Sequence, residues 1–237
     1  MKKLYEKNEI WFAVLWIMVY CVATIPIRGE LGDESGWMLL ALAAIAAGAT
    51  WFVLRHGLAG KYGLTGWAKD PRRLWWFIPM WVLATGNLWG GVRMSYSGAA
   101  QLFAVLSMLL IGYVEELLFR GFLFRALLKK DGAKPAIIIS AVTFGIGHIV
   151  NMLAGQASLE TLLQVCFAVA WGFIFTFAYY KGGSLWPCVI VHGLVDAASK
   201  FGTDSMAAAT VYMVATIAVA AVYCAHLSKQ ETALAEV

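Results

Sequence analysis

Apolar runs long enough to cross a bilayer, separated by short polar links, recur from one end of the chain to the other. They fall near residues 9–27, 37–55, 72–92, 98–128, 135–153, 159–180, 184–201 and 205–227. About 20 apolar residues in a helix rise about 30 Å, the thickness of the hydrocarbon core. The pattern predicts an all-α fold: a polytopic membrane bundle of about eight transmembrane helices, occupying residues 1–237 as a single integral-membrane domain. The fourth run exceeds what a bilayer needs, so it is tilted, broken, or carried past the membrane as the amphipathic stretch Arg120 to Lys130. Gly132 and Pro135 mark the turn after it.

Composition excludes a soluble fold. Of the 237 residues, 61% are apolar and 14% charged, against about 45–50% and about 25% in soluble domains. The cations then orient the bundle. Lys2, Lys3 and Lys7, then Arg55, Lys61, Lys69, Arg72 and Arg73, then Arg125, Lys129, Lys130 and Lys134, and finally Lys181 and Lys229 all fall on one side. The other side carries Arg28, Arg93 and Lys200 beside acids such as Glu30, Asp33, Glu34, Glu160 and Asp204. This bias puts both termini in the cytoplasm, as an even number of spans requires. The net charge of +4 fits anionic membrane lipid as a partner, and no nucleic-acid signature accompanies it. Cys21, Cys166, Cys188 and Cys224 show no pairing pattern and read as small buried hydrophobes. The basic start, Met1 to Asn8, leading into Ile10 to Ile27 resembles a signal peptide. Its cleavage site, Cys21-Val22-Ala23-Thr24, is poor, and the segment reads as an uncleaved first span.

Ionisable side chains at membrane depth cost about 2.5–3.5 kcal/mol each on insertion, so each calls for a reason. They are Glu115, Glu116 and Arg120 in the fourth run, His148 in the fifth, and His192 with Asp196 in the seventh. Counted from the cytoplasmic ends of their helices, Glu115, His148 and Asp196 each lie about 12–13 residues in, at one depth. That layer is expected a few turns inside the cytoplasmic face, opening to the cytoplasmic half. Glu116 and Arg120, at i and i+4, form an ion pair along one face, leaving Glu115 about 100° away and unpaired. His192 and Asp196 are also spaced i, i+4, so Asp196 can orient the imidazole. Asn151 extends the face of His148. A free carboxylate opposite a histidine in a wet intramembrane pocket can activate water. Glu115 takes the proton, His148 holds the water or shares the proton, and His192 donates to the oxyanion of a tetrahedral intermediate. No serine or cysteine nucleophile context competes.

These residues carry a resemblance. Glu115-Glu116-Leu-Leu-Phe-Arg120 resembles the EExxxR motif of the CAAX-protease and bacteriocin-processing (CPBP, or ABI) intramembrane endopeptidases, relatives of the type II CAAX prenyl endopeptidases. Phe144-Gly-Ile-Gly-His148 resembles their FxxxH motif, and His192-Gly-Leu-Val-Asp196 their HxxxN/D motif. The resemblance implies an eight-helix protease with a motif-bearing core at about 98–201. It implies Glu115 and His148 as water activators and His192 with Asp196 as an oxyanion site. It also implies a multi-pass protein of a cell membrane, the bacterial cytoplasmic membrane, acting on a peptide or lipidated protein. Asp stands where the prenyl endopeptidases have Asn; ionised, it cannot donate to an oxyanion, so it is either protonated or orients His192. No cofactor is required, since two histidines and a glutamate can serve a water, and there is no HExxH helix. A divalent metal such as Zn is admitted, with Glu115, His148 and His192 as its ligands. Two other readings stay open: a proton- or ion-coupled transporter, against which no internal repeat is visible, and a catalytically idle membrane scaffold.

Overall fold

A computed structural model describes residues 1–67 and 78–234. A short helix α1 (Lys2–Lys7) leads into α2 (Glu9–Leu31) and α3 (Gly36–Arg55). After residues 68–77 come a short α4 (Ile78–Ala84) and then α5 (Gly98–Glu116), which runs on through a π-helical stretch, Leu117–Phe124, into α6 (Arg125–Asp131). Next are α7 (Ala133–Gly147), continued as a 3-10 segment His148–Ala154, then α8 (Ser158–Gly182), α9 (Trp186–Ser199) and α10 (Met206–Ser228). Outside the helices, the described residues contain one isolated β-bridge, between Val92 and Gly202.

The fold is all-helical, and among the described residues six segments have the length and apolarity of membrane spans: Glu9–Leu31, Gly36–Arg55, Gly98–Asp131, Ala133–Ala154, Ser158–Gly182 and Met206–Ser228. Two of the eight expected spans differ. The third, near 72–92, falls partly on residues 68–77, outside the described residues, and its described part holds the short helix Ile78–Ala84. The seventh is the 14-residue α9, which at about 1.5 Å per residue covers only about 21 Å. An apolar run of that length reads as a span in sequence; here the helix is short and one face of it is buried, with Val191, His192, Gly193 and Val195, while Ile190 and Leu194 are exposed. The fourth run is one continuous 34-residue rod, the most enclosed of the six, with 61% of its apolar window buried against 22% for α2 and α10.

Close packing around this rod depends on missing side chains. A Cβ at Gly112 of α5 would stand 2.5 Å from the backbone nitrogen of Gly193 on α9, and one at Gly172 of α8 would stand 2.6 Å from the carbonyl oxygen of Ala141 on α7. Lipid offers apolar groups nearly as good a home as a protein interior, so helices in a bilayer are held by such close contacts and by polar ties rather than by hydrophobic collapse.

The bundle's two ends are fastened differently. At the basic end, Lys61 and Lys129 both meet Glu9, and the α8–α9 turn is tied to the loop after α3 by Leu185 N–H to the Gly63 carbonyl. At the opposite end, Asp33 accepts from Arg28 Nε at 2.8 Å and from Lys200 Nζ at 2.9 Å, joining the ends of α2 and α9. Burial pushes the Asp33 carboxyl up, but Arg28 and Lys200 beside it more than reverse this, leaving it below the ordinary carboxylate range. A carboxyl lowered on folding adds stability above its unfolded pKa and loses it as pH falls through the folded one. Asp33→Asn should therefore lower the unfolding temperature in detergent at neutral pH. Its difference from the unaltered protein should start to narrow below about pH 4, where free carboxyls protonate, and keep narrowing as pH falls further; a gap unchanged between about pH 5 and about pH 3 would show the tie to be non-ionic.

Candidate active site

The π-helical stretch begins one residue after Glu116, and it accompanies a buried charge network. Glu116 Oε1 accepts from Arg120 Nη1 at 2.8 Å, and both side chains have no solvent exposure. The ion pair expected from the i, i+4 spacing is present. The same Oε1 also accepts from Nδ1 of His192 on α9, at 2.8 Å. Arg120 lies over the ring of Phe144, 4.1 Å from its centroid, and reaches α8 through a long 3.5 Å contact with the Gly172 carbonyl. The imidazole of His192 is stacked on Phe175 at 5.4 Å and met edge-on by Phe144 at 5.6 Å. Helices from four parts of the chain are thus locked together around one carboxylate.

His192 is consequently oriented by a group other than the one expected. Glu116, expected only to pair with Arg120, holds Nδ1, and since a carboxylate only accepts, Nδ1 carries the proton. Nε2 then faces two other carboxylates, Asp196 Oδ2 at 3.4 Å and Glu115 Oε2 at 3.7 Å. Asp196 therefore stands at the outward nitrogen and shares it with Glu115, rather than alone fixing the tautomer.

Glu115 is not unpaired. Tyr20, from the middle of α2, donates its hydroxyl to Glu115 Oε1 at 2.6 Å. Tyr20 belongs to no motif. The signal that could have found it is depth: it lies about 11 residues into its helix from Glu9, the layer reached by the depth count for Glu115. A polar aromatic in an apolar span gave no reason to single it out.

His148 sits where α7 ends and the 3-10 segment begins. Its Nδ1 meets the carbonyl of Phe144 at 3.0 Å. A carbonyl can only accept, so Nδ1 is the donor, which satisfies one of the carbonyls that a helix C-terminus leaves without a partner. In the neutral ring Nε2 is then the acceptor. Asn151, one turn on, binds Arg28 through Oδ1 at 3.1 Å and Gln164 through Nδ2 at 2.9 Å, so it is tied to the outer end of α2 rather than to His148.

A cavity of about 820 Å³ joins these groups. Tyr20, Glu115, Phe144, His148, Asn151 and Asp196 all line it, while His192 stands behind Glu115 and Asp196. Its remaining walls come from the middles of α2 and the central rod and from the ends of helices away from the lysine-rich connections, including Arg28, Asp33, Gln156 and Lys200. The expectation that the site opens towards the cytoplasmic half is therefore corrected: among the described residues, none from the basic connections lines the cavity. Rise per residue gave the right shared layer, but depth alone does not say which way a hollow drains. Asn87 also lines the cavity and donates to the Val195 carbonyl at 2.7 Å, a partner the sequence did not suggest. Among the cysteines only Cys188 is buried; Cys166 is exposed, and Cys21 lies on the cavity wall.

The donor set anticipated for a metal does not converge. No group of three or more His, Cys, Asp or Glu among the described residues is arranged to hold a metal ion. His192 has Nδ1 committed to Glu116, and His148 has Nδ1 committed to Phe144. As arranged, Glu115 and His148 line the cavity wall and His192 stands behind it.

Compared with known proteins, the chain matches the family described as Rce1-like, type II CAAX prenyl endopeptidase Rce1-like, over residues 97–198. No curated protein and no solved structure matches it.

Removing one member of a buried ion pair costs about 3–5 kcal/mol, because the other charge is left stranded. Arg120→Ala should accordingly cause a large drop in detergent unfolding temperature, and the charge-free pair Glu116→Leu with Arg120→Met should recover much of it. Equal loss in the single and the double variants would show that the network's packing, not its charge balance, is what matters.

Proposed function

Because residues 97–198 match the Rce1-like family of type II CAAX prenyl endopeptidases, we propose that this membrane protein hydrolyses a peptide bond inside the bilayer with water activated by Glu115 and His148. The observation that carries the reading is that both side chains, from antiparallel helices, wall the same cavity, with His192 and Asp196 gathered against Glu115.

In this reading a water in the cavity gives its proton to Glu115 as its oxygen attacks the scissile carbonyl carbon. His148, with Nδ1 held by the Phe144 carbonyl, directs the acceptor Nε2 at the same water. The tetrahedral oxyanion is met by Nε2–H of His192, whose ring in this role carries a proton on both nitrogens, as an imidazolium beside the Glu116, Asp196 and Glu115 carboxylates. Collapse breaks the C–N bond, and the proton held by Glu115 passes to the departing amine, so that water's two hydrogens end on the new acid and the new amine. Tyr20 keeps the Glu115 carboxylate in place by holding Oε1, leaving Oε2 for the proton. Glu116 is a positioning residue: through Nδ1 it fixes the ring whose other nitrogen faces the site. No step is routed through a metal.

The transporter and scaffold readings have no comparable support, because the family matched over residues 97–198 is one of endopeptidases. Glu115→Gln should fold and insert yet abolish cleavage, read as the precursor peptide that accumulates when cells bearing the variant are compared with cells bearing the unaltered chain. Full processing in Glu115→Gln cells would overturn the assignment. Tyr20→Phe should lower kcat by roughly ten- to a hundredfold with KM little changed, since a hydrogen bond to a charged group contributes about 1.5–3 kcal/mol. An unchanged kcat would remove Tyr20 from the site.

A further inference from the structure

The direction in which the cavity opens carries an inference that rests on the protease reading and narrows its substrate. The central rod contributes its middle, from Met108 to Phe119, and the other long helices that line the cavity contribute parts that reach towards the ends remote from the basic connections. On α2 the lining runs from Ile17 through Tyr20 and Thr24 to Arg28 and then Asp33 in the loop beyond. On α9 it runs from Val195 to Lys200, and on α8 from Glu160 to Phe167, the half nearest the start of that helix. Nothing in residues 55–66, 125–134 or 181–186, where lysine- and arginine-bearing links lie, reaches it. The floor beneath the site is closed by the rings of Phe119 and Phe144, packed edge to face at 5.2 Å, and by the buried Glu116–Arg120 pair. At the rim, Glu160, Ser199 and Asp204 are exposed.

The ties between helix ends make the two poles unambiguous. Asp33 binds Arg28 and Lys200 at the cavity end, whereas Glu9 binds Lys61 and Lys129 at the other. The positive-inside bias assigns the second pole to the cytoplasm. We infer that the catalytic cavity is entered from the non-cytoplasmic side, and that its substrate is a peptide segment presented on that side rather than the cytosolic C-terminus of a prenylated protein. The chemistry of the passage agrees. Above Glu115 the walls carry Arg28, Asn87, Asn151, Gln156, Gln164 and Lys200, groups that suit a hydrated polypeptide backbone and would leave a prenyl chain among polar atoms.

The test is access to single cysteines in the full-length protein, in intact cells, with a membrane-impermeant maleimide. In a chain with Cys21, Cys166, Cys188 and Cys224 replaced by Ala, Glu160→Cys and Ser199→Cys mark the rim and Lys130→Cys marks the basic pole. If that background does not accumulate, the same substitutions are placed in the unaltered chain and the modified residue is assigned by peptide mass spectrometry. Modification of the two rim cysteines before lysis, and of Lys130→Cys only after it, is the expected result. Rim cysteines that react only after lysis would overturn the inference. Maleimide attached at Ser199→Cys from outside should also stop processing of the peptide that accumulates in Glu115→Gln cells; processing that continues despite complete modification would equally overturn it. Labelling does not depend on catalysis. Rim cysteines that react from outside in a chain showing no processing with any variant, the unaltered protein included, would support the access route while counting against the protease reading.

Discussion

One carboxylate oxygen organises the interior of this bundle. Glu116 Oε1, without solvent exposure, accepts from Arg120 one helical turn along its own rod and from His192 on α9. In a bilayer neither the arginine nor the carboxylate could stand alone there, so the helices that supply them must meet. Arg120 in turn is roofed by the aromatic rings of Phe144 on α7 and Phe175 on α8. α5, α7, α8 and α9 are therefore held at one height by a charge balance as well as by close backbone contacts at Gly112 and Gly172. The chemistry sits one residue to the side: Glu115 shares the rod with Glu116 and inherits its position.

Neighbouring residues divide the work through helical geometry. Consecutive positions point about 100° apart, so Glu116 turns into the protein and Glu115 onto the cavity wall. The π-helical turns that start at Leu117 widen the rod just below the pair, where Arg120 and Phe119 have to fit. His148 reaches the cavity because α7 ends there; the terminal carbonyl of Phe144 and the tightening to 3-10 geometry set both its position and its tautomer.

The layer of ionisable residues was legible in the sequence, because burying charge in lipid is costly enough that such residues occur only with a reason. The Glu116–Arg120 pair was legible for the same cause and by spacing. Tyr20 was not, since its hydroxyl is one polar atom in a long apolar run, nor was the link from Glu116 to His192, which depends on how two helices are rotated against each other. The short α9 was read as a span because hydropathy records composition and not length or enclosure: it has 14 residues, and much of its apolar surface is packed against protein. The orientation of the cavity was misjudged because a count along helices measures depth without showing which neighbouring ends leave a gap.

The uneven enclosure of the helices has a mechanical consequence. The central rod and its partners are locked by contacts with no room for a methyl group, whereas α2 and α10, both bordering the cavity, have only 22% of their apolar windows buried. Any widening of the aperture to admit a bulky guest falls to those two, which border fluid acyl chains, and for α2 it would have to break the polar ties at Tyr20 and Arg28. Since α2 also bears the phenol hydrogen-bonded to Glu115, outward travel of that helix would release the carboxylate from its restraint, and its return would re-form it around whatever had entered.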